Sequence, residues 1–190
     1  LLHDDALLVL AVDLHLLRPD VLTTGLIPGL SDLALVRVEG ALIARRNYFN
    51  LEVHAPRVVY QDWHVDSLTI RSYAGDSAAI FVLTTPLVRR GNEGFIENTE
   101  LNGQFVANTA RVTFNARDDE GQERFVLALQ AAIDGSKKET IVTFAPRQII
   151  DFKEWSVDTD NRIRILPGGV DVERFSMQGA GQSIEVKGNT

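Results

Sequence analysis

Trp155-Ser-Val-Asp-Thr-Asp-Asn-Arg-Ile-Arg-Ile165-Leu-Pro-Gly-Gly-Val170-Asp-Val-Glu-Arg-Phe-Ser-Met177 is the stretch on which the fold is read. Ile163 and Ile165 alternate with Arg162 and Arg164, and Val170 and Val172 alternate with Asp171 and Glu173. A period of two places the aliphatic side chains on one face of a pleated strand and the charged ones on the other. Pro167-Gly168-Gly169 between them is turn chemistry. Ile184-Glu-Val186 takes up the alternation again after Gly179-Ala-Gly181. Short strands and tight turns are predicted, with no catalytic residue in an evident place.

The same period extends toward the N-terminus. Over Leu1–Leu17, Leu8, Leu10, Val12, Leu14 and Leu16 form an apolar phase, and the alternate phase turns polar at Asp13 and His15, which favours strand. Residues 20–29 read as a connection. The apolar segments 33–38 and 41–44 meet at Glu39-Gly40, where glycine permits a bend or bulge. Phe49, Leu51, Val53 and Ala55 share one face opposite Asn50, Glu52 and His54, and Pro56 is expected to stop that strand or hold it at an edge. Tyr60, Trp63, Val65, Leu68 and Ile70 change phase once near Asp66, as at a bulge. Apolar segments 78–83 and 87–88 flank Thr84-Thr-Pro86.

The polar run within 89–102, containing Arg89-Arg-Gly-Asn-Glu-Gly94, predicts a longer loop. Beyond it Leu101, Gly103 and Phe105, then Val112, Phe114 and Ala116, resume the alternation before the polar turn Arg117-Asp-Asp-Glu-Gly121. Residues 123–134 hold good helix formers, but Phe125, Leu127, Leu129, Ala131 and Ile133 alternate without a break, which favours strand. Segments 141–145 and 148–152 surround Pro146. At least ten short strands make the class all-β, with sandwich, barrel or solenoid allowed.

Composition bounds the function. The 190 residues are 45% hydrophobic and 24% charged, enough apolar matter for a core and unlike a disordered chain. A net charge of -7 argues against nucleic acid as a partner. Absence of cysteine removes disulfides and thiolate metal sites. The longest apolar run, Ala6–Val12, falls far short of the roughly 20 residues of a spanning helix. The opening on Leu1 and the close on Gly188-Asn-Thr190 in repeat rhythm suggest a single β-rich segment, 1–190, of a longer repeat protein.

Candidate chemistry is sparse. His3, His15, His54 and His64 have no ligand spacing, so neither metal nor cofactor is expected. Asp158-Thr-Asp160-Asn161 lacks the glycine and distal glutamate of a calcium loop and reads as a hairpin turn capped by Asx side chains. Asp118-Asp119-Glu120 reads as a solvated turn, and no Gly-x-Ser-x-Gly elbow is present. Arg45-Arg46 and Arg89-Arg90 are paired arginines, able to meet lipid headgroups or an acidic partner. Trp63 and Trp155 fit core edges. No enzyme activity is expected.

Trp155-x-Val157-x-x-Asp-Asn161-x-Ile163, Gly-Gly-Val170, Phe175 and Gly181-Gln-Ser-Ile184-x-Val186-x-Gly188 resemble the repeats of the TamB family, within the AsmA-like group of bridge-like lipid transport proteins. Leu51–Tyr60 and Val65–Ile70 are similar to its repeated strands. The resemblance implies an elongated antiparallel sheet curled into a β-taco or groove with an apolar interior. It also implies a place in the periplasm of a diderm bacterium, in a parent anchored in the inner membrane. The implied task is carriage of phospholipid toward the outer membrane and support of outer-membrane assembly. The implied partners are phospholipid acyl chains and, through other parts of the parent, an Omp85-type barrel.

On that reading the groove is lined by Phe49, Leu51, Val53, Phe105, Val112, Phe114, Phe125, Leu127, Leu129, Ile163 and Ile165. A stripe of this kind suffices to hold an acyl chain, since each methylene removed from water contributes about 0.8 kcal/mol. The alternative from the residues alone is a β-sandwich whose closed core these side chains fill, as in a structural or adhesive module of a virion or cell surface.

Overall fold

The computed structural model describes residues 9–16, 27–34, 36–43, 47–91 and 93–189. They form fifteen strands and no helix. Two compact units are present, Leu1–Thr99 and Glu100–Thr190. His3, Arg45-Arg46 and most of the expected connection 20–29 lie outside the described residues, and so does the side chain of His15.

The first unit contains β1 (Val9–Leu16), β2 (Leu30–Ala34), β3 (Val36–Ile43), β4 (Tyr48–Tyr60), β5 (Trp63–Ala74), β6 (Ala78–Arg90) and the start of β7 (Glu93–Val106). Its sheet is antiparallel, in the order β1-β3-β4-β5-β6, with β2 also on β4. β3 pairs with the half of β4 up to His54, and β2 pairs with the half from Arg57 onward. Pro56 therefore falls at the seam between two neighbours, where its missing N–H leaves no ladder bond unmade. For this reason the proline does not end the strand, and β4 continues to Tyr60.

Gly40 also departs from expectation. β3 runs through it without a register shift, opposite Leu51. A Cβ there would come within 2.9 Å of the Asn50 carbonyl oxygen, so glycine serves a close approach of two backbones and not a bend.

The phase change near Asp66 has a backbone counterpart. Pairing of β4 with β5 is interrupted between Ala55–Leu68 and Arg57–Asp66, and that of β5 with β6 between Thr69–Thr84 and Asp66–Leu87. Ser67 sits in the gap with φ 50. The apolar phase crosses over at this level in all three strands, from Ala55 to Val58, Leu68 to Val65 and Leu83 to Val88. Pro86 cannot donate, and the buried Thr85 hydroxyl donates instead to the Asp66 carbonyl at 2.6 Å.

The expected loop at 89–102 is strand for most of its length. β6 reaches Arg90, and β7 starts at Glu93. A polar strand with Gly94 and Asn98 resembles a loop in composition, but neighbouring strands complete its ladder whatever its side chains are.

The second unit holds the rest of β7 with β8 (Thr109–Arg117), β9 (Glu123–Asp134), β10 (Glu139–Phe144), β11 (Arg147–Ile150), β12 (Lys153–Val157), β13 (Arg162–Leu166), β14 (Gly169–Gly179) and β15 (Gln182–Asn189). Residues 123–134 are strand, as their alternation favours. Two pairs of short strands fill the space between β9 and β14. β10 and β13 bridge Leu129–Asp134 of β9 to Gly169–Arg174 of β14. β11 and β12 bridge Phe125–Val126 of β9 to Met177–Gly179 of β14. The 158–161 turn is thus capped as expected, with Asp158 Oδ1 accepting from Asp160 N at 2.9 Å, but it is not a hairpin. It joins β12 to β13, which pair with other strands.

Where the two pairs meet, the main-chain ladder breaks, and side-chain amides close it. Gln148, 2% exposed, accepts from Ala128 N at 2.9 Å and donates to the carbonyls of Ala128 at 3.0 Å and Ala145 at 2.7 Å. Asn161, also 2% exposed, accepts from Phe144 N at 2.6 Å and donates to Phe144 O at 3.0 Å and Asp158 O at 2.6 Å. Each amide presents the donor and acceptor that an absent strand residue would have offered. Beside them Trp155 lies against Gly179, where a Cβ would approach Trp155 Cδ2 to 2.8 Å.

Gln148→Leu keeps the volume but strands the Ala128 N–H and the Ala145 carbonyl in a buried place, while the Ala128 carbonyl keeps its bond from Ala145 N, so a loss of about 2–4 kcal/mol is expected. Urea unfolding of this variant beside exposed Gln122→Leu, expected within about 0.5 kcal/mol of the parent, measures it.

Candidate binding face

Cross-strand partners in an antiparallel sheet point to the same side, so register decides what each face is made of. In the first unit Phe49 stands opposite Leu42 and Ala74, Leu51 opposite Gly40 and Ser72, and Val53 opposite Val38 and Ile70. Ile70 and Ser72 continue to Leu83 and Phe81. The other face carries Glu39 opposite Glu52 and Glu52 opposite Arg71. Arg71 neutralises Glu52 at 3.1 Å, and Arg37 pairs with Glu39. His54 lies on this polar face, 3.3 Å from Thr69 Oγ1.

In the second unit Val112, Leu129 and Phe144 form one row, and Phe114 and Leu127 form the next. Ala116 stands opposite Phe125, which stands opposite Ile150. Val142, Ile163 and Val172 form a further row, and Ile165 stands opposite Val170. Phe144 meets Phe175 edge to face at 5.4 Å, and Phe175 and Met177 pair with Val186 and Ile184. Phe105 lies in β7, 42% exposed. Phe144, Phe175 and Val142 were not among the expected lining residues, although the alternation of their own strands marks them.

Exposure distinguishes this face from a core. Among the described apolar residues only Leu30, Ala55, Val59, Ala116, Ile149, Trp155 and Val157 are buried. Leu127 is 39% exposed, Ile165 46% and Val170 39%, although each stands opposite an apolar partner. Monomeric proteins rarely leave contiguous apolar rows so open without a partner.

The opposite face is occupied by ion pairs. Arg164 binds the buried Glu139 and lies 3.4 Å from Asp171 and 3.3 Å from Glu173. Arg164 holds the Glu139 carboxyl below its usual range, and Glu139 in turn raises the guanidinium. Arg147 bridges Glu154 at 3.0 Å and Glu123 at 3.3 Å. Arg89, in the row of His64, is engaged with Asp66 at 2.9 Å, and Arg90, on the other side of the strand in the row of Trp63, with Asp62 at 3.0 Å. Arg90 lowers the Asp62 carboxyl chiefly by its hydrogen bond. The shifts of these two carboxylates are downward, the direction of structural ion pairs and the opposite of a raised general acid. Among the described residues no group of three His, Asp or Glu side chains could hold a metal ion. No helix there is long and apolar enough to cross a membrane. Asp118 Oδ1 accepts from Glu120 N and Gln122 N, so the acidic 118–120 segment is a capped turn.

No family model, curated protein or solved structure matches the chain.

One turn makes a pH-dependent contribution. Asp134 Oδ1 accepts from Ser136 Oγ at 2.6 Å, Ser136 N at 3.0 Å and Lys137 N at 3.2 Å, closing the β9–β10 connection. These bonds, that of the Ser136 hydroxyl first, hold its pKa down to about 2 against an ordinary 3.8. A depressed carboxylate stabilises the fold fully above the unfolded value and loses that stabilisation as pH falls through the folded one. Stability is expected to decline from pH 4 toward pH 2, with a shallower decline in Asp134→Asn. Thermal unfolding of both proteins across that window measures the difference in slope.

Proposed function

We propose that the apolar face takes up lipid acyl chains, and that the chain is a segment of an envelope protein carrying phospholipid toward the outer membrane. The observation behind this reading is the set of aligned, half-buried apolar rows, in which Leu127, Ile165 and Val170 are the most open. An acyl chain needs no directed polar contact, and contact with a continuous aliphatic surface is its whole requirement. On this reading the sheet curls into a groove, with the ion-paired face turned to water. The likeness of Trp155–Gly188 to TamB repeats points the same way, as does the lack of a raised carboxylate or a metal cluster among the described residues. The open exposure of Ile165 and Val170 counts against the rival structural module, which requires a closed core.

A photo-crosslinkable fatty acid is expected to label peptides containing Leu127 and Ile165, and absence of labelling there refutes the reading. Leu127→Asp or Phe114→Asp interrupts the stripe. Loss of contact with two or three methylenes, at about 0.8 kcal/mol each, should weaken uptake roughly 15- to 60-fold with the fold retained. Fluorescent fatty-acid titration beside circular dichroism separates lost binding from lost structure.

A further inference from the structure

The turn that joins β11 to β12 is made by Asp151 and Phe152, with φ 50 and φ 64, between the paired residues Ile150 and Lys153. Two left-handed residues in succession are the type I′ pattern, which Asn and Gly fill at least cost. Aspartate tolerates that conformation, whereas a bulky side chain with positive φ is strained. The Phe152 ring is held in this conformation and stays 43% exposed.

The ties that fix the turn do not need the ring. Phe152 N donates to Arg124 O at 3.0 Å, a main-chain bond that glycine would make equally well. Asp151 holds the Arg124 guanidinium at 3.2 Å. That guanidinium lies 5.8 Å from the centre of the Phe152 ring and 5.4 Å from that of Phe125, so it keeps an aromatic neighbour when the Phe152 ring is removed. A cation–π contact at an exposed site offsets only part of the backbone strain. The fold therefore carries Phe152 at a cost.

The surroundings of the ring define what it meets. The turn segments 117–124 and 151–154, joined by the Phe152–Arg124 bond, carry six carboxylates against three cations. Asp151, Glu123 and Glu154 are matched by Arg124 and Arg147. Asp119 and Glu120 are exposed and have no ion pair among the described residues. We infer that this end of the second unit docks an arginine-bearing segment of a partner protein, with the guanidinium on the Phe152 ring and the carboxylates beside it as counter-charges. Arginine meets both demands, since its plane stacks on aromatic faces and its donor fork fits carboxylates. A phosphate-bearing partner would be repelled by the acidic excess, and a wholly apolar pocket would strip water from carboxylates and give nothing in return. This site stands apart from the lipid reading.

The test titrates the whole chain with a fluorescent Arg-Gly-Arg-Gly-Arg peptide and, as control, Glu-Gly-Glu-Gly-Glu. The arginine peptide is expected to bind and the glutamate peptide not. Phe152→Gly, and separately Asp119→Asn with Glu120→Gln, should each weaken binding roughly fivefold to tenfold, while Phe152→Tyr retains it. Thermal unfolding is expected to show Phe152→Gly at least as stable as the parent, because the glycine relieves the turn. Absence of binding, or equal binding by Phe152→Gly, overturns the proposal, the latter in favour of general adsorption to an acidic surface. A Phe152→Gly chain that melts below the parent also overturns it, because the ring then serves the fold. Self-association of the parent that Phe152→Gly abolishes overturns it in favour of a second copy as occupant.

Discussion

In both units the hydrogen-bond ladder between neighbouring strands does the work that a packed interior does elsewhere. With few apolar residues buried, the area term that usually dominates folding is reduced, and each unmade main-chain bond weighs more heavily. This explains why the irregular places are so fully answered. Where β10 gives way to β11 beside β9, Gln148 supplies an amide, and where β12 gives way to β13 beside β10, Asn161 supplies another. Where Pro86 has no donor, the Thr85 hydroxyl reaches the Asp66 carbonyl. A sheet of this kind accepts polar or apolar side chains over wide areas, and side-chain groups answer several of the gaps in its ladder.

The two faces follow from the same economy. Residues on one side are apolar and of moderate size, as the rows of Val112, Leu129 and Phe144 and of Val142, Ile163 and Val172 show. Residues on the other side come in charged pairs, with Arg164, Arg147 and Arg71 each placed between or beside carboxylates. Like charges that register places opposite each other, Glu39 and Glu52, are each matched by an arginine. Such pairs give little net energy individually. Their contribution is to keep the polar side compatible with water.

Alternation made the strands legible, and within each strand it made the side of each apolar residue legible as well. Phe49, Leu51 and Val53 share a face within their strand, as do Val112 with Phe114 and Leu127 with Leu129, and register then joins the last two pairs on one side. Strand order could not be read, because two adjacent hairpins and a pair of short strands stacked between β9 and β14 have the same periodicity. Gln148 and Asn161 carried no signal, since a buried amide and a surface amide are the same letter. Pro56 and the polar run at 89–102 were misleading for one reason: both describe what a strand cannot do alone, and neighbouring strands decide whether that matters. The pair of units, with its boundary inside β7, was likewise invisible in a chain of uniform composition.

The row at Ser67 has a mechanical meaning. Two consecutive junctions, β4 with β5 and β5 with β6, lose their pairing at the same level, with Pro56 and Pro86 nearby and a left-handed residue between them. Stiffness in a sheet comes from rungs that link one strand to the next, and here the rungs are missing along a line that crosses three strands. That line is a crease. A sheet resists bending least where rungs are missing, and in the first unit that line passes through Ser67.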